Sequence, residues 1–281
     1  MKLAVSNIAW QPEERLDAYR ILADAGFTGL EIAPGLFFHA ARDPFVPDAP
    51  EARRAVDEMR KAGLALVSMQ SLLFGVDGAS LFGSPAERAA LEDGLARAIT
   101  LAGRFAIPNC VFGSPRQRVV PADMPMQRAW EEAAVIFRRL GDHARDAGTH
   151  LSIEANPAQY GGNFCTTTDE ALRFIDYVDH PHITSILDLG AVHIAGEFDI
   201  VSAKVPAMMQ RLNHVHVSEP DLALAPARPT NLAPVLRALR KSGYAKAISI
   251  EMRRTPGGLA DLESAVHRLA AVVKSLEAHH A

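Results

Sequence analysis

Short apolar runs rich in β-branched residues recur along the chain and alternate with longer segments whose apolar residues return every three or four positions. The runs are KLAVSNI (2–8), TGLEIAP (28–34), LALVSMQS (64–71), NCVFGS (109–114), HLSIEAN (150–156), ITSILDLG (183–190), LNHVHVSE (212–219) and AISIEMR (247–253). Such runs read as strands. Between them, segments such as PEERLDAYRILADAG and MQRAWEEAAVIFRRLGDHARDAG read as amphipathic helices. Gly26, Gly63, Gly148 and Gly243 each stand just before a strand, where a helix end takes the left-handed conformation that glycine tolerates. Pro12, Pro50, Pro85 and Pro229 stand near helix starts, where a missing N–H does no harm.

Strands alternating with helices imply parallel βαβ units. Eight of them predict an α/β protein, a (β/α)8 TIM barrel, with residues 1–281 as one domain. A doubly wound open sheet would ordinarily place a glycine-rich phosphate loop after its first strand. Here that strand runs into SNIAWQPEE, without GxGxxG. The two longest predicted loops, 34–50 and 113–125, follow the second and fourth strands. In a barrel both lie at the C-terminal face, where sites are built.

Composition narrows the function classes. Of 281 residues, 48% are apolar and 22% charged, the balance of an ordinary globular protein. The net charge of −4 gives no reason to expect a nucleic-acid partner. Cys110 and Cys165 lack metal-ligand spacing and suggest no disulfide framework. The start of the chain reaches Asn7 and Gln11 too soon for a signal-peptide core, and no apolar run approaches the roughly 18 residues of a membrane span. The expectation is a cytoplasmic protein with no membrane partner.

The candidate chemistry lies at the ends of the last four predicted strands. Glu154, Asp188 and Glu251 each follow an apolar run, and His214 and His216 lie two apart within another. Residues i and i+2 of a strand share a face, so both imidazoles point the same way. Any one acid could cap a helix or pair with an arginine. At corresponding positions on consecutive strands, three carboxylates and an imidazole suit a divalent cation. The oxygen-rich set favours Mn²⁺ or Mg²⁺, with Co²⁺ or Zn²⁺ as alternatives. His216 lies nearer the mouth and is assigned to the metal. His214 lies about 6.5–7 Å deeper and reads as a buried, hydrogen-bonded residue.

The motifs SNIAW (6–10), GLEIAP (29–34), SMQSLLFG (68–75), VFGSPRQR (111–118), IEANPAQYGGNF (153–164), LDLG (187–190), HVHVSE (214–219) and ISIEM (248–252) resemble the xylose-isomerase-like TIM-barrel superfamily. This group of sugar phosphate isomerases and epimerases is matched over essentially the whole chain. In its ketose 3-epimerases one metal is held by Glu, Asp, His and Glu on strands 5 to 8. That resemblance implies Glu154, Asp188, His216 and Glu251 as ligands, with the two glutamates as the acid/base pair. Three departures concern groups that hold substrate in those epimerases. Tyr160 stands where they carry a glutamate, Ala191 where they carry a histidine (with His193 two further on), and Leu222 where they carry an arginine.

The expected function is a metal-dependent epimerase or isomerase of a ketose or sugar phosphate, working through a metal-stabilised enediolate. Expected substrate-binding residues are Asn7, Gln70, Arg116, His193, His214, Glu219 and Arg253. Arg116 and Arg118 read as solvated loop charges, with a grip on a substrate anion as the alternative. Glu31 reads equally as pocket lining or as a salt-bridged acid, and Trp10, Phe37, Phe38 and Phe74 as packing or as a wall over a sugar. The partner is a small carbohydrate, and a homo-oligomer is compatible with the sequence although no stretch marks an interface. Rival readings are a metal-dependent dehydratase of a keto-inositol-like substrate, a non-catalytic sugar-binding barrel, and a phosphodiesterase on abasic DNA. The last would need more strand-end histidines and a basic face.

Overall fold

The structure, a computed structural model, describes residues 1–278. Its strands are β1 (Lys2–Ser6), β2 (Gly29–Ile32), β3 (Ala65–Met69), β4 (Cys110–Phe112), β5 (Leu151–Ile153), β6 (Ile183–Asp188), β7 (Leu212–Ser218) and β8 (Ala247–Glu251). They are hydrogen-bonded in chain order and close into a barrel. The expected TIM barrel is therefore the observed fold. Each strand is shorter than its apolar run suggests. At the run ends the main chain leaves the ladder for caps and turns, so Glu154 and Glu219 lie just beyond β5 and β7.

The helices are α1 (Arg15–Asp24), α2 (Pro34–Phe37), α3 (Ala49–Lys61), α4 (Pro85–Arg104), α5 (Met126–Ala147), α6 (Thr168–Val178), α7 (Leu189–Ile194), α8 (Phe198–Met208), α9 (Pro229–Lys241) and α10 (Leu259–Ala278). Gly26, Gly63, Gly148 and Gly243 take φ between 72° and 81°, as the helix ends require. The two loops expected at 34–50 and 113–125 are not wholly irregular. One contains α2, and the other a 3-10 turn at Pro115–Arg118, each opened by a proline that presets φ. No helix among the described residues is long and apolar enough to cross a membrane.

One compact unit comprises Met1–Val67, Asp188–Gln210 and, among the described residues, 214–278. Here β1 pairs with β2 and β8, in registers that include Ala4↔Gly29 and Ala4↔Ser249. A Cβ on Gly29 would stand 2.7 Å from that of Ala4, so only glycine allows this approach. Arg15 spans α1 and α3 with a two-nitrogen grip on Glu58, at 2.7 and 2.9 Å.

The second unit comprises Ser68–Leu187 and Arg211–Asn213. Phe112, Phe137, Phe174 and Phe164 form a chain of ring contacts with centroids 4.8–5.8 Å apart. Burying each such ring stabilises the fold by about 1.5–3 kcal/mol. The unit also holds a buried polar cluster. Asn109 donates to Ser68 Oγ (2.9 Å), and its Oδ1 accepts from Ser152 (2.5 Å) and from Asn213 Nδ2 (2.6 Å). Buried polar groups are tolerated when paired in this way.

Candidate metal centre

The site is built around β7, in which all seven residues are buried. His214 and His216 share its inner face, with ring centroids 5.2 Å apart and planes at 86°. Glu31, on β2, meets both and is fully buried. His216 Nε2 lies 3.0 and 3.1 Å from the two Glu31 oxygens. His214 Nε2 lies 3.6 Å from Glu31 Oε2 and 2.9 Å from Ser249 Oγ. Burial alone would raise the Glu31 pKa, but the two histidines outweigh it and hold the carboxyl well below its usual range.

The other edge of the His216 ring faces two more carboxylates. Nδ1 lies 3.2 Å from Glu251 Oε2 and 3.5 Å from Asp188 Oδ2. Asp188 ends β6 and caps α7 through Ala191 N–H, at 2.5 Å, while Ser218 Oγ donates to its other oxygen at 2.9 Å. Burial pushes its pKa up, yet His216 and these hydrogen bonds bring it below the ordinary value.

Strand register explains who meets whom. In the β7–β8 ladder His216 is opposite Ser249 and Ser218 is opposite Glu251. The contacts run diagonally instead: Ser249 bonds His214, and Glu251 reaches His216. Tilted, staggered barrel strands put side chains of one layer at different registers.

Glu154 follows β5 and is half-buried. Its Oε2 accepts from Asn156 Nδ2 at 2.9 Å. A Cβ on Gly113 would collide with that same oxygen, so the glycine after β4 leaves room for this rotamer. One donor atom from each of Asp188, His216 and Glu251 lies within 4.8 Å of the others. Glu31, His214 and His216 form a second such group.

A cation fits the first group better than the second. Glu31 takes His216 Nε2, so the Nε2–H tautomer leaves a lone pair on Nδ1 aimed at carboxylate oxygens. Acceptors facing acceptors repel unless a proton or a cation stands between them. Two carboxylates and one imidazole converging in this way are donors suited to Mn²⁺, Mg²⁺ or a neighbouring divalent ion. In the second group Glu31 is already engaged by imidazole nitrogens.

The remaining expected residues are scattered. Asn7 is buried, its Oδ1 accepting from Ala33 N–H at 2.7 Å and its Nδ2 donating to Ala33 O at 3.3 Å, so it ties β1 to the end of β2. Gln70, just past β3, is half-buried. Arg116 and Arg253 are exposed. His193 and Glu219 line a cleft of about 300 Å³ with Phe198, Ser218 and Arg228. Arg254 is paired with Glu14 at 2.7 and 2.8 Å. Trp10, Phe37 and Phe38 are buried, whereas Phe74 is exposed. Reading Arg118 as a solvated loop charge is incorrect: its side chain is 1% exposed. It folds inward because the main-chain carbonyl of Glu154 accepts from its guanidinium at 2.6 Å.

Three contributors carry little signal in the sequence. Ser218, Ser249 and Gly113 act through register and close approach, and neither shows in residue type. Glu31 had one legible clue, a carboxylate inside an apolar strand.

The family profile described as Xylose isomerase-like TIM barrel matches residues 19–277. The chain belongs to this family. Among solved structures it is similar to 3-keto-D-glucoside 4-epimerase from E. coli, with TM-score 0.76 and 19% identity, covering 98% of this chain and 99% of that one. It is also similar to an L-ribulose 3-epimerase, with TM-score 0.76 and 18% identity over 98% and 94% of the two chains. A family 2 AP endonuclease from Brucella melitensis matches with TM-score 0.71 and 18% identity over 96% and 99%. At these identities the likeness carries the fold. No curated protein matches the chain by sequence.

Proposed function

We propose that the chain is a divalent-metal-dependent sugar epimerase or isomerase, with Glu154, Asp188, His216 and Glu251 as the ligands. The observation that carries this reading is the His216 ring, whose Nε2 meets Glu31 while Nδ1 faces the carboxylates of Asp188 and Glu251. A bound cation would act as a Lewis acid on the carbonyl and adjacent hydroxyl of a ketose, lowering the cost of the enediolate. Glu31 fixes the His216 tautomer and ring plane. Ser218 and the Ala191 N–H do the same for the Asp188 carboxylate.

In this reading Glu154 and Glu251 exchange the substrate proton. One, as carboxylate, takes the proton from carbon. The other, as carboxylic acid, delivers its own proton, to the opposite face of that carbon for epimerisation or to the neighbouring carbon for isomerisation. The two then re-equilibrate with solvent. The epimerases among the structural neighbours are consistent with a small carbohydrate substrate.

The test begins with elemental analysis of the purified chain and of His216→Ala. A near-stoichiometric divalent ion, lost in the variant, is expected. Ketoses are then screened for incorporation of solvent deuterium by wild type, Glu154→Gln and Glu251→Gln. Exchange in wild type with near-complete loss in both variants is expected. Undiminished exchange in either variant removes that glutamate from the mechanism, and release of water from the substrate would identify a dehydratase instead.

A further inference from the structure

Arg118 has no part in the chemistry above, yet its burial is unusual. It ends the 3-10 turn that follows β4 and is the largest of the fully buried side chains among the described residues. Loop arginines ordinarily keep the guanidinium in water. Here one nitrogen donates to Glu154 O at 2.6 Å, while Nε and Nη1 find no partner among the described residues. The guanidinium carbon lies 5.7 Å from the centroid of the Phe112 ring. Burial pulls its pKa below the ordinary arginine value, against the opposing influence of Cys165, Glu154 and Glu170. A buried cation making a single carbonyl bond is poor value for stability alone.

What the bond holds is specific. Glu154 is the first residue beyond β5, and its N–H donates to Phe112 O at 3.2 Å. Past this point no ladder directs the chain, and the carbonyl grip of Arg118 takes over. Around it the loops after β4 and β5 are tied by a reciprocal pair. Asn163 Oδ1 accepts from Val120 N–H at 2.7 Å, and Asn163 Nδ2 donates to Val120 O at 2.9 Å. The carboxylate end of the same glutamate is set by Asn156 and by the space over Gly113.

We propose that Arg118 is a positioning residue for Glu154. Its buried guanidinium grips the main chain where β5 ends, sets the direction in which the carboxylate leaves the strand, and so tunes the affinity of the metal centre. The proposal rests on the reading of Glu154 as a metal ligand. A guanidinium suits the task because its planar fork is rigid and its charge is permanent, beside a carboxylate in a site shielded from water.

The test is calorimetric titration of Mn²⁺ into metal-free wild type, Arg118→Met and Arg118→Lys, with the melting temperature of each metal-free chain. Folded Arg118→Met is expected to bind Mn²⁺ about 10- to 100-fold more weakly, the usual effect of losing a group that orients a ligand. Arg118→Lys, which keeps the charge but not the fork, is expected to fall between. A purely structural arginine would lower the melting temperature and leave the Mn²⁺ affinity of the folded chain unchanged, and that result overturns the proposal. If the methionine variant does not fold, the lysine variant decides by the same criterion. Wild type that binds no Mn²⁺ removes the metal reading itself, and the proposal with it, before either variant is compared.

Discussion

His216 Nε2 and the Glu31 carboxylate meet at 3.0 and 3.1 Å in a fully buried pair spanning β7 and β2. The pair commits one edge of the imidazole and leaves the other edge for Asp188 and Glu251. Glu31 is thereby the residue that aims His216, although it is not among the four proposed ligands.

Glu31→Gln can no longer accept at both oxygens, and the ring loses its fixed tautomer. Divalent-metal affinity is expected to fall by about 10- to 100-fold. Glu31→Ala adds the cost of a buried, unpaired imidazole N–H, about 1–3 kcal/mol. Mn²⁺ titration and denaturant unfolding of both variants check the two effects separately. Wild-type affinity in Glu31→Gln would end the aiming role.

Acid should reveal the same pair. Glu31 and Asp188 both sit below their ordinary values of 4.5 and 3.8 in the folded chain. A depressed carboxylate contributes stability that is present in full above its unfolded-state value and is lost as pH falls through the folded one. Stability of the metal-free chain is therefore expected to hold down to about pH 5 and to decline from about pH 4.5 downward. Glu31→Gln should show a shallower decline over that window when unfolding is followed by circular dichroism. An identical pH profile would mean that the pair is not held as described.

Gly113→Ala places a methyl where Glu154 Oε2 lies. The backbone there is not left-handed, so the cost falls on the glutamate rotamer rather than on the loop. Melting temperature should change little while Mn²⁺ affinity drops by about tenfold or more. Unchanged affinity would show that the carboxylate has another productive position.

Cys110 and Cys165 are fully buried, and burial pushes each thiol up to about 12. Neither should react with a thiol reagent at pH 8 in the folded chain, and both should react once it is unfolded. Rapid labelling of either one in the native state would contradict its placement.

The alternation of β-branched runs with amphipathic segments, punctuated by Gly26, Gly63, Gly148 and Gly243, was enough to identify eight βα units and the barrel. Secondary structure of this kind is encoded over neighbouring residues, where side-chain period and helix-end glycines act locally. The same local reading singles out Glu154, Asp188 and Glu251 as candidates, because a charge closing an apolar run stands out wherever the chain then goes, and His216 because an imidazole inside such a run does too. It also placed His214 and His216 on one face.

What only the tertiary structure decided is which groups face them. Glu31 is 185 residues from His216 in the chain, and nothing local to either predicts their meeting. The diagonal pairing of β7 with β8 depends on barrel stagger, a property of the closed ring rather than of any strand. Arg118 reads as solvated because loop arginines usually are, and it is buried because a carbonyl freed at the end of β5 lies within its reach. Local patterns determine where each side chain points from its own strand, while the distances between strands arise only once all eight have closed on one another.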